Sequence, residues 1–495
     1  MLFLLKGRPV TRAALLFCCA LACYAQPEAL ARKSRQAKDL MAEGRFAEAI
    51  PIYRELCRAI PGNPGLHLNL GLALHMSGQE REAIPEFETV LKADPNSFPA
   101  LVSLGAARLA INDPAHAIAP LEKALTIQPD NADARGMLAG ALYSQGRAKD
   151  AAVQYRKLTT GTPEDPKAWY GLGRCYEALA SKAFEELDRA GQGTAEWLEL
   201  VAETRLQKRQ YRAAFYFYKE ALARNPKLRS AYGGLAEVYR RTAHPDWAAA
   251  EQAKEQAVTA PDCVKEKAGC AYRAGKLLET AASPSAYWRT KAYNDLAFQA
   301  FEKLGKLTPS VEMYALQAES FNNHGQYVEA AGAWRSALKL EPGNPRLERE
   351  LLTALYLGHD YERALPLLEE ARKQDPQSAE LNFFTGDSHL HLEQLEQALP
   401  YLETAARLDP KLLPARASLG LTYARTGRPA DAIPNLAAAL EIDDDGSLHY
   451  QLARAYQATG EAEKAKVFLK KYQDIQQQTA AQKKDLEEKA QITAP

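Results

Sequence analysis

PGLHLNLGLALHMSGQEREAIPEFETVLKADPNS, residues 64–97, carries two apolar stripes of helical spacing with a turn between them. His67, Leu70, Gly71 and Leu74 stand at its positions 4, 7, 8 and 11, which lie on one face of a first helix. Ala83, Phe87 and Val90, at positions 20, 24 and 27, do the same for a second. Gly78 sits where the first helix must stop and turn, and Pro95 ends the second because it cannot donate a helical hydrogen bond. One such pair cannot bury its own apolar faces, so it needs neighbours of the same kind.

Outward from this stretch the pattern recurs. Alanines stand at 49, 83, 117 and 151, then 214 and 248, then 330, 364, 398, 432 and 465, a ladder of about 34 residues broken twice. Prolines at 61, 95, 129 and 163, and again at 342, 376 and 410, keep the same interval. Eleven regular units start near Leu30, Pro64, Phe98, Ala132, Ala195, Arg229, Val311, Pro345, Ala379, Leu413 and Gly446. Position 8 is Gly or usually Ala and position 20 is always Ala, because a larger side chain there would overpack the contact by roughly 1–3 kcal/mol.

These residues resemble the tetratricopeptide repeat, with its large residue at position 4, Leu at 7, Gly at 8, Tyr at 11, Ala at 20, Phe at 24 and Pro at 32. The resemblance implies an all-α fold: a right-handed α-solenoid, or superhelix, of about eleven regular helix pairs plus two irregular helical units. It divides the chain into an N-terminal block of four units over 26–165, an irregular long helix over 166–194 and two units over 195–261. An irregular unit over 262–310, a block of five units over 311–480 and a polar tail over 481–495 follow. The interruptions resemble each other: YGLGRCYEALASKAFEEL from Tyr170 aligns with YWRTKAYNDLAFQAFEKL from Tyr287, both lacking the turn glycine, so each is expected to hold one long helix.

Residues 1–25 belong to a different class. Lys6, Arg8 and Arg12 precede an apolar core, Ala13 to Ala22, of the length of an export signal rather than a membrane span. Cleavage after Ala25 is the preferred reading; the rival is that Leu21, Ala22 and Cys23 resemble a lipoprotein box, with Cys23 lipidated. Both place the protein outside the cytoplasm, periplasmic or secreted. Beyond residue 25 no apolar run is long enough to span a bilayer. With 62 basic and 62 acidic residues the formal charge is zero, which gives nucleic-acid binding no electrostatic support.

Cys263 and Cys270 sit seven apart at the start of the second irregular unit. On one continuous helix they would be about 10.5 Å apart along the axis, too far to bond. Pro261 and Gly269 point instead to a loop, leaving a disulfide that closes it or two unpaired thiols. No nucleophile elbow, HExxH, phosphate loop or GxGxxG occurs, so neither catalytic residues nor a cofactor are expected. His389 and His391, two apart on a helix, point to different faces and make a poor metal pair. Asp443, Asp444, Asp445 and Gly446 start like a calcium loop, but the frame puts Leu452 where a bidentate Glu is needed.

The resemblance also implies a binding face, built from positions 2, 5, 9, 12 and 13 of each first helix. In the early units these are Leu68, Leu72, His75, Met76, Val102, Leu109 and Tyr143, an apolar section. Glu196, Glu199 and Glu203 follow, then Glu237, Arg240 and Arg241. Past the second interruption come Glu312, Glu319, Asn322, Asn323, Arg346, Arg349, Tyr356, Phe383, Asp387 and His391. The expected partner is a protein or peptide segment, apolar toward the early units and basic opposite the glutamates. The Lys and Asn with which some relatives grip a C-terminal carboxylate are absent: positions 5 and 9 hold Leu68 with Leu72 and Val102 with Ala106. A non-catalytic exported scaffold is the leading function; the alternative is an envelope-glycan binder using Trp169, Trp197, Trp288 and Trp334 to stack on sugars.

Overall fold

The computed structural model describes residues 28–259 and 262–495; the expected export signal, Cys23 and Pro261 lie outside them. Among the described residues every regular element is a helix, and none is long and apolar enough to cross a membrane. The protein is an all-α solenoid of antiparallel helix pairs. Residues 28–42 pair with Phe46–Ala59, Pro64–Met76 with Glu80–Ala93, Phe98–Ala110 with Pro114–Ile127 and Ala132–Ser144 with Ala148–Gly161. The described residues through 179 with 293–300 form one compact unit, and 180–292 with 301–495 form a second.

Small residues set the spacing within each pair. A Cβ placed on Gly71 would lie 2.6 Å from Phe87 Cε1, and one on Gly420 would lie 2.7 Å from Leu436 Cγ. Those distances are well inside van der Waals contact, so position 8 is a socket for the side chain at position 24. Several first helices start on side-chain caps: Asn63 accepts from Leu66 N at 3.2 Å, Asn131 from Ala134 N at 2.8 Å and Ser378 from Leu381 N at 3.2 Å.

The turn between paired helices is the same in every unit, whatever residue occupies it. Gly78 has φ +72°, and its counterparts Asn112, Arg209, Ala243, His359 and Glu393 have φ between 57° and 62°. A left-handed residue other than Gly costs roughly 1–2 kcal/mol, partly returned because Gly is freer in the unfolded chain. Ala243→Gly is therefore expected to stabilise the 229–257 pair by about 0.5–1 kcal/mol in urea denaturation; a destabilised variant would show the turn to be unstrained.

Both interruptions contain a long helix, Pro166–Gly191 and Ala286–Leu304. The second is preceded by two short helices, Lys267–Arg273 and Leu277–Thr280. Cys263 lies in the turn before the first of them and Cys270 within it, and the two are disulfide-bonded with Cα atoms 5.6 Å apart. The bond is reachable because the helix begins only at Lys267, leaving the preceding residues to fold back.

The last helix, Ala462–Lys489, runs past the boundary expected at 480. Phe468 packs against His449 and Tyr456, and Tyr472 against Tyr450. The acidic run before Ser447 is a helix cap: Asp443 accepts from Leu448 N, His449 N and His449 Nδ1 at 2.6–3.0 Å. Residues 490–495 do not extend freely as a polar tail would. Ala490 is buried, Ile492 packs on the core of the 195–257 pairs, and Thr493 O accepts from Tyr239.

Candidate functional site

The first-helix face expected to meet a partner differs along the chain. In the N-terminal unit Leu68 and Leu72 are half-buried against the repeat core, and Val102, Leu109 and Tyr143 are half-buried as well. His75 is held by Glu80 at 2.5 Å, and Met76, 56% exposed, is the apolar side chain most open to solvent on this section.

The glutamates of the middle pairs are not open. Glu196 is half-buried, but Glu199 is 0% exposed and takes 2.7 Å and 3.1 Å hydrogen bonds from Tyr287 Oη and Lys291 Nζ. Lys291 also donates to Glu203 at 2.5 Å and lies over the rings of Tyr272 and Tyr287. The basic group expected from a partner is thus supplied by the chain itself, from the irregular helix Ala286–Leu304. Sequence spacing could not show this, because Lys291 lies 92 residues from Glu199 and belongs to no repeat position. Burial pulls the ammonium pKa down, but Glu203 and Glu199 outweigh it and hold it well above the ordinary lysine range. Desolvation drives the Tyr287 hydroxyl up in the same cluster.

Glu237, Arg240 and Arg241 neutralise one another along their own helix, with Glu237 2.7 Å from Arg241 and 2.9 Å from Arg240. Hydrogen bonds from Arg241 and then Arg240 hold the Glu237 carboxyl below its usual range. Glu319 and Asn322 are half-buried, the latter with Oδ1 enclosed and unpaired, while Asn323, Arg346 and Arg349 are exposed.

The C-terminal aromatic anchors are likewise drawn inward. Asp387, 5% exposed, accepts from Tyr356 Oη at 2.7 Å and Ser418 Oγ at 2.6 Å, so one carboxylate ties three successive units. Phe383 is buried, Tyr356 packs on Phe384, and His391 stacks on Tyr361 at 4.8 Å. Exposure of Glu199, Phe383 and Asp387 was the wrong expectation, because position 5 or 9 faces a partner only where nothing from the chain covers it.

The tryptophans offer little to a sugar. Trp334 is buried, Trp288 lies between Tyr272 and Tyr287, and the Trp169 and Trp197 indoles donate to Pro163 O and Asp188 at 2.7 Å. Among the described residues no three His, Cys, Asp or Glu side chains gather as a metal-holding group. His389 is buried against Tyr401 and Gln394, away from exposed His391.

Stacked helix pairs, most of them with a small-residue socket, define a helical-repeat protein of the kind that presents a face to other proteins. The repeat itself is identified by family models of the tetratricopeptide repeat, which match residues 40–107, 108–166 and 423–488 and, in a second model, 348–412. The chain belongs to the tetratricopeptide-repeat family. Among solved structures it is similar to the MamA protein, at 21% identity over 34% of this chain and 94% of that one, with a TM-score of 0.30. A thermophilic repeat protein of Thermus thermophilus matches at 22% over 37% of this chain and 97% of that one, TM-score 0.29. A repeat protein of Parabacteroides merdae matches at 13% over 66% and 99%, TM-score 0.34. No curated protein matches the chain.

Proposed function

We propose that this is an exported, non-catalytic scaffold that binds segments of partner proteins on its first-helix faces. One observation supports the reading most: the face carrying Glu199 and Glu203 already seats a helical segment, the chain's own, through an aromatic hydroxyl and a cation. Binding by the same means at the faces left open calls for an apolar side chain near Met76 and acidic groups opposite Arg346 and Arg349. A partner cation opposite the middle glutamates is no longer required. The Cys263–Cys270 disulfide supports an oxidising compartment outside the cytoplasm.

Proximity labelling in the cell envelope, followed by pull-down, tests the role. Arg346→Glu with Arg349→Glu is expected to weaken capture of a stoichiometric partner about tenfold at low salt without changing helicity. Unchanged capture by that variant and by Met76→Asp would remove these faces from the account. N-terminal sequencing of the mature protein distinguishes Gln26 as first residue from a lipidated Cys23, and recovery in the cytoplasm with Met1 intact would overturn export.

A further inference from the structure

Residues 490–495 fold back against the helix pairs of 195–257. Tyr239, at position 11 of its unit, is buried, and its hydroxyl donates to Thr493 O at 2.7 Å across 254 residues of sequence. The residue at the same position of a later unit, Tyr423, instead donates to Glu403 only 20 residues away. A buried tyrosine hydroxyl needs a partner, and the Thr493 carbonyl is the one Tyr239 has among the described residues. Ile492 packs against the core cluster that includes Phe215, Tyr218 and Tyr239, and Leu206, Tyr211 and Trp247 pack against the same cluster. Trp247 is braced edge-on against Tyr239 at 5.6 Å and stacked on His244 at 4.1 Å. Ala490 and Ile492 turn inward while Gln491 and Thr493 are exposed, the period of two of an extended segment.

We infer that the surface formed by Leu206, Tyr211, Tyr239 and Trp247 is a docking site for an extended, uncharged partner segment, a small residue and an Ile two apart followed by a main-chain carbonyl, with residues 490–495 as its resident, displaceable occupant. Recognition is through one apolar side chain and one backbone oxygen, so it tolerates sequence change at the outward positions and excludes charge at the Ile position. The resident segment is tethered, which raises its effective concentration at the site over that of a free segment. This deepens the scaffold reading by giving one face a ligand chemistry, and it rests on that reading only for its biological use.

The test is fluorescence anisotropy with a labelled peptide of residues 488–495. The chain lacking residues 490–495 is expected to bind it, the full chain at least about tenfold more weakly because the tethered segment competes. Tyr239→Phe in the shortened chain is expected to weaken binding about three- to tenfold, and the peptide with Ile492→Asp is expected not to bind. Should the shortened chain fold poorly, full-length protein carrying Ile492→Asp leaves the site vacant and is expected to bind the unmodified peptide. Equal binding by full and vacated chains, or none by a vacated chain of unchanged helicity, overturns the proposal. So does a full-length chain forming a concentration-dependent dimer that disappears on removal of 490–495, which would assign the site to exchange between copies. Loss of peptide binding with partner capture at Arg346 and Arg349 intact sinks this site alone.

Discussion

Lys291→Met is expected to destabilise the 180–292 and 301–495 unit by about 3–5 kcal/mol, because it leaves the Glu199 carboxylate buried without its counter-charge. The side chain is 5% exposed and bridges two carboxylates, one of them completely enclosed. Solvent cannot take over that role. Adding Glu199→Leu to Lys291→Met should recover most of the loss, since a buried charge pair replaced by apolar groups is often neutral. The measurement is urea denaturation with hydrogen exchange across 195–207 and 286–304. A cost under about 1 kcal/mol, or additive costs in the double variant, would mean that the cluster is not the clamp its geometry implies. The pH dependence has a definite sign. The Lys291 pKa is raised on folding from its ordinary 10.5, so its contribution is complete below 10.5 and is lost only as pH rises through the higher folded value. The gap between wild type and Lys291→Met should therefore be constant from pH 7 to about 10 and narrow only above that.

That cluster also marks where the sequence stopped being legible. The helix pairs follow from local periodicity: the alanine ladder, the position-8 socket and the turn at position 15 each need only residues a few places apart. The left-handed turn occurs even at Ala243 and Glu393, where no glycine announces it, because the stacked pairs on either side fix its geometry. The face is different. Whether Glu199, Asp387 or Met76 reaches solvent depends on what returns to cover it, and the covering groups come from 31 residues away in Tyr356 and Ser418 and from 92 away in Lys291. Their covering groups lie on other units or in irregular segments, so no repeat frame predicts the pairing. Only the similarity of the two interruptions pointed to the helix that fills this face.

Phe87→Ala is expected to cost about 3–5 kcal/mol, because the ring is 0% exposed and its socket at Gly71 has no side chain with which to refill the space. In a stack each pair depends on its neighbours alone, so the damage should be local. Exchange protection should fall in residues 28–110, whose buried side chains share the core of Phe87, and much less in 132–161, two pairs away. Uniform loss across both stretches would mean that the block unfolds as one cooperative body. A reciprocal change separates packing from mere loss of apolar area. Gly71→Ala alone should cost about 1–3 kcal/mol, because the added carbon strikes the Phe87 ring, whereas in the Phe87→Ala background the atoms it strikes are gone. The two changes together should cost less than the sum of their separate effects by about 1 kcal/mol or more. Strict additivity would show that the ring has room to move aside, and position 8 would then be small for some reason other than the fit of position 24.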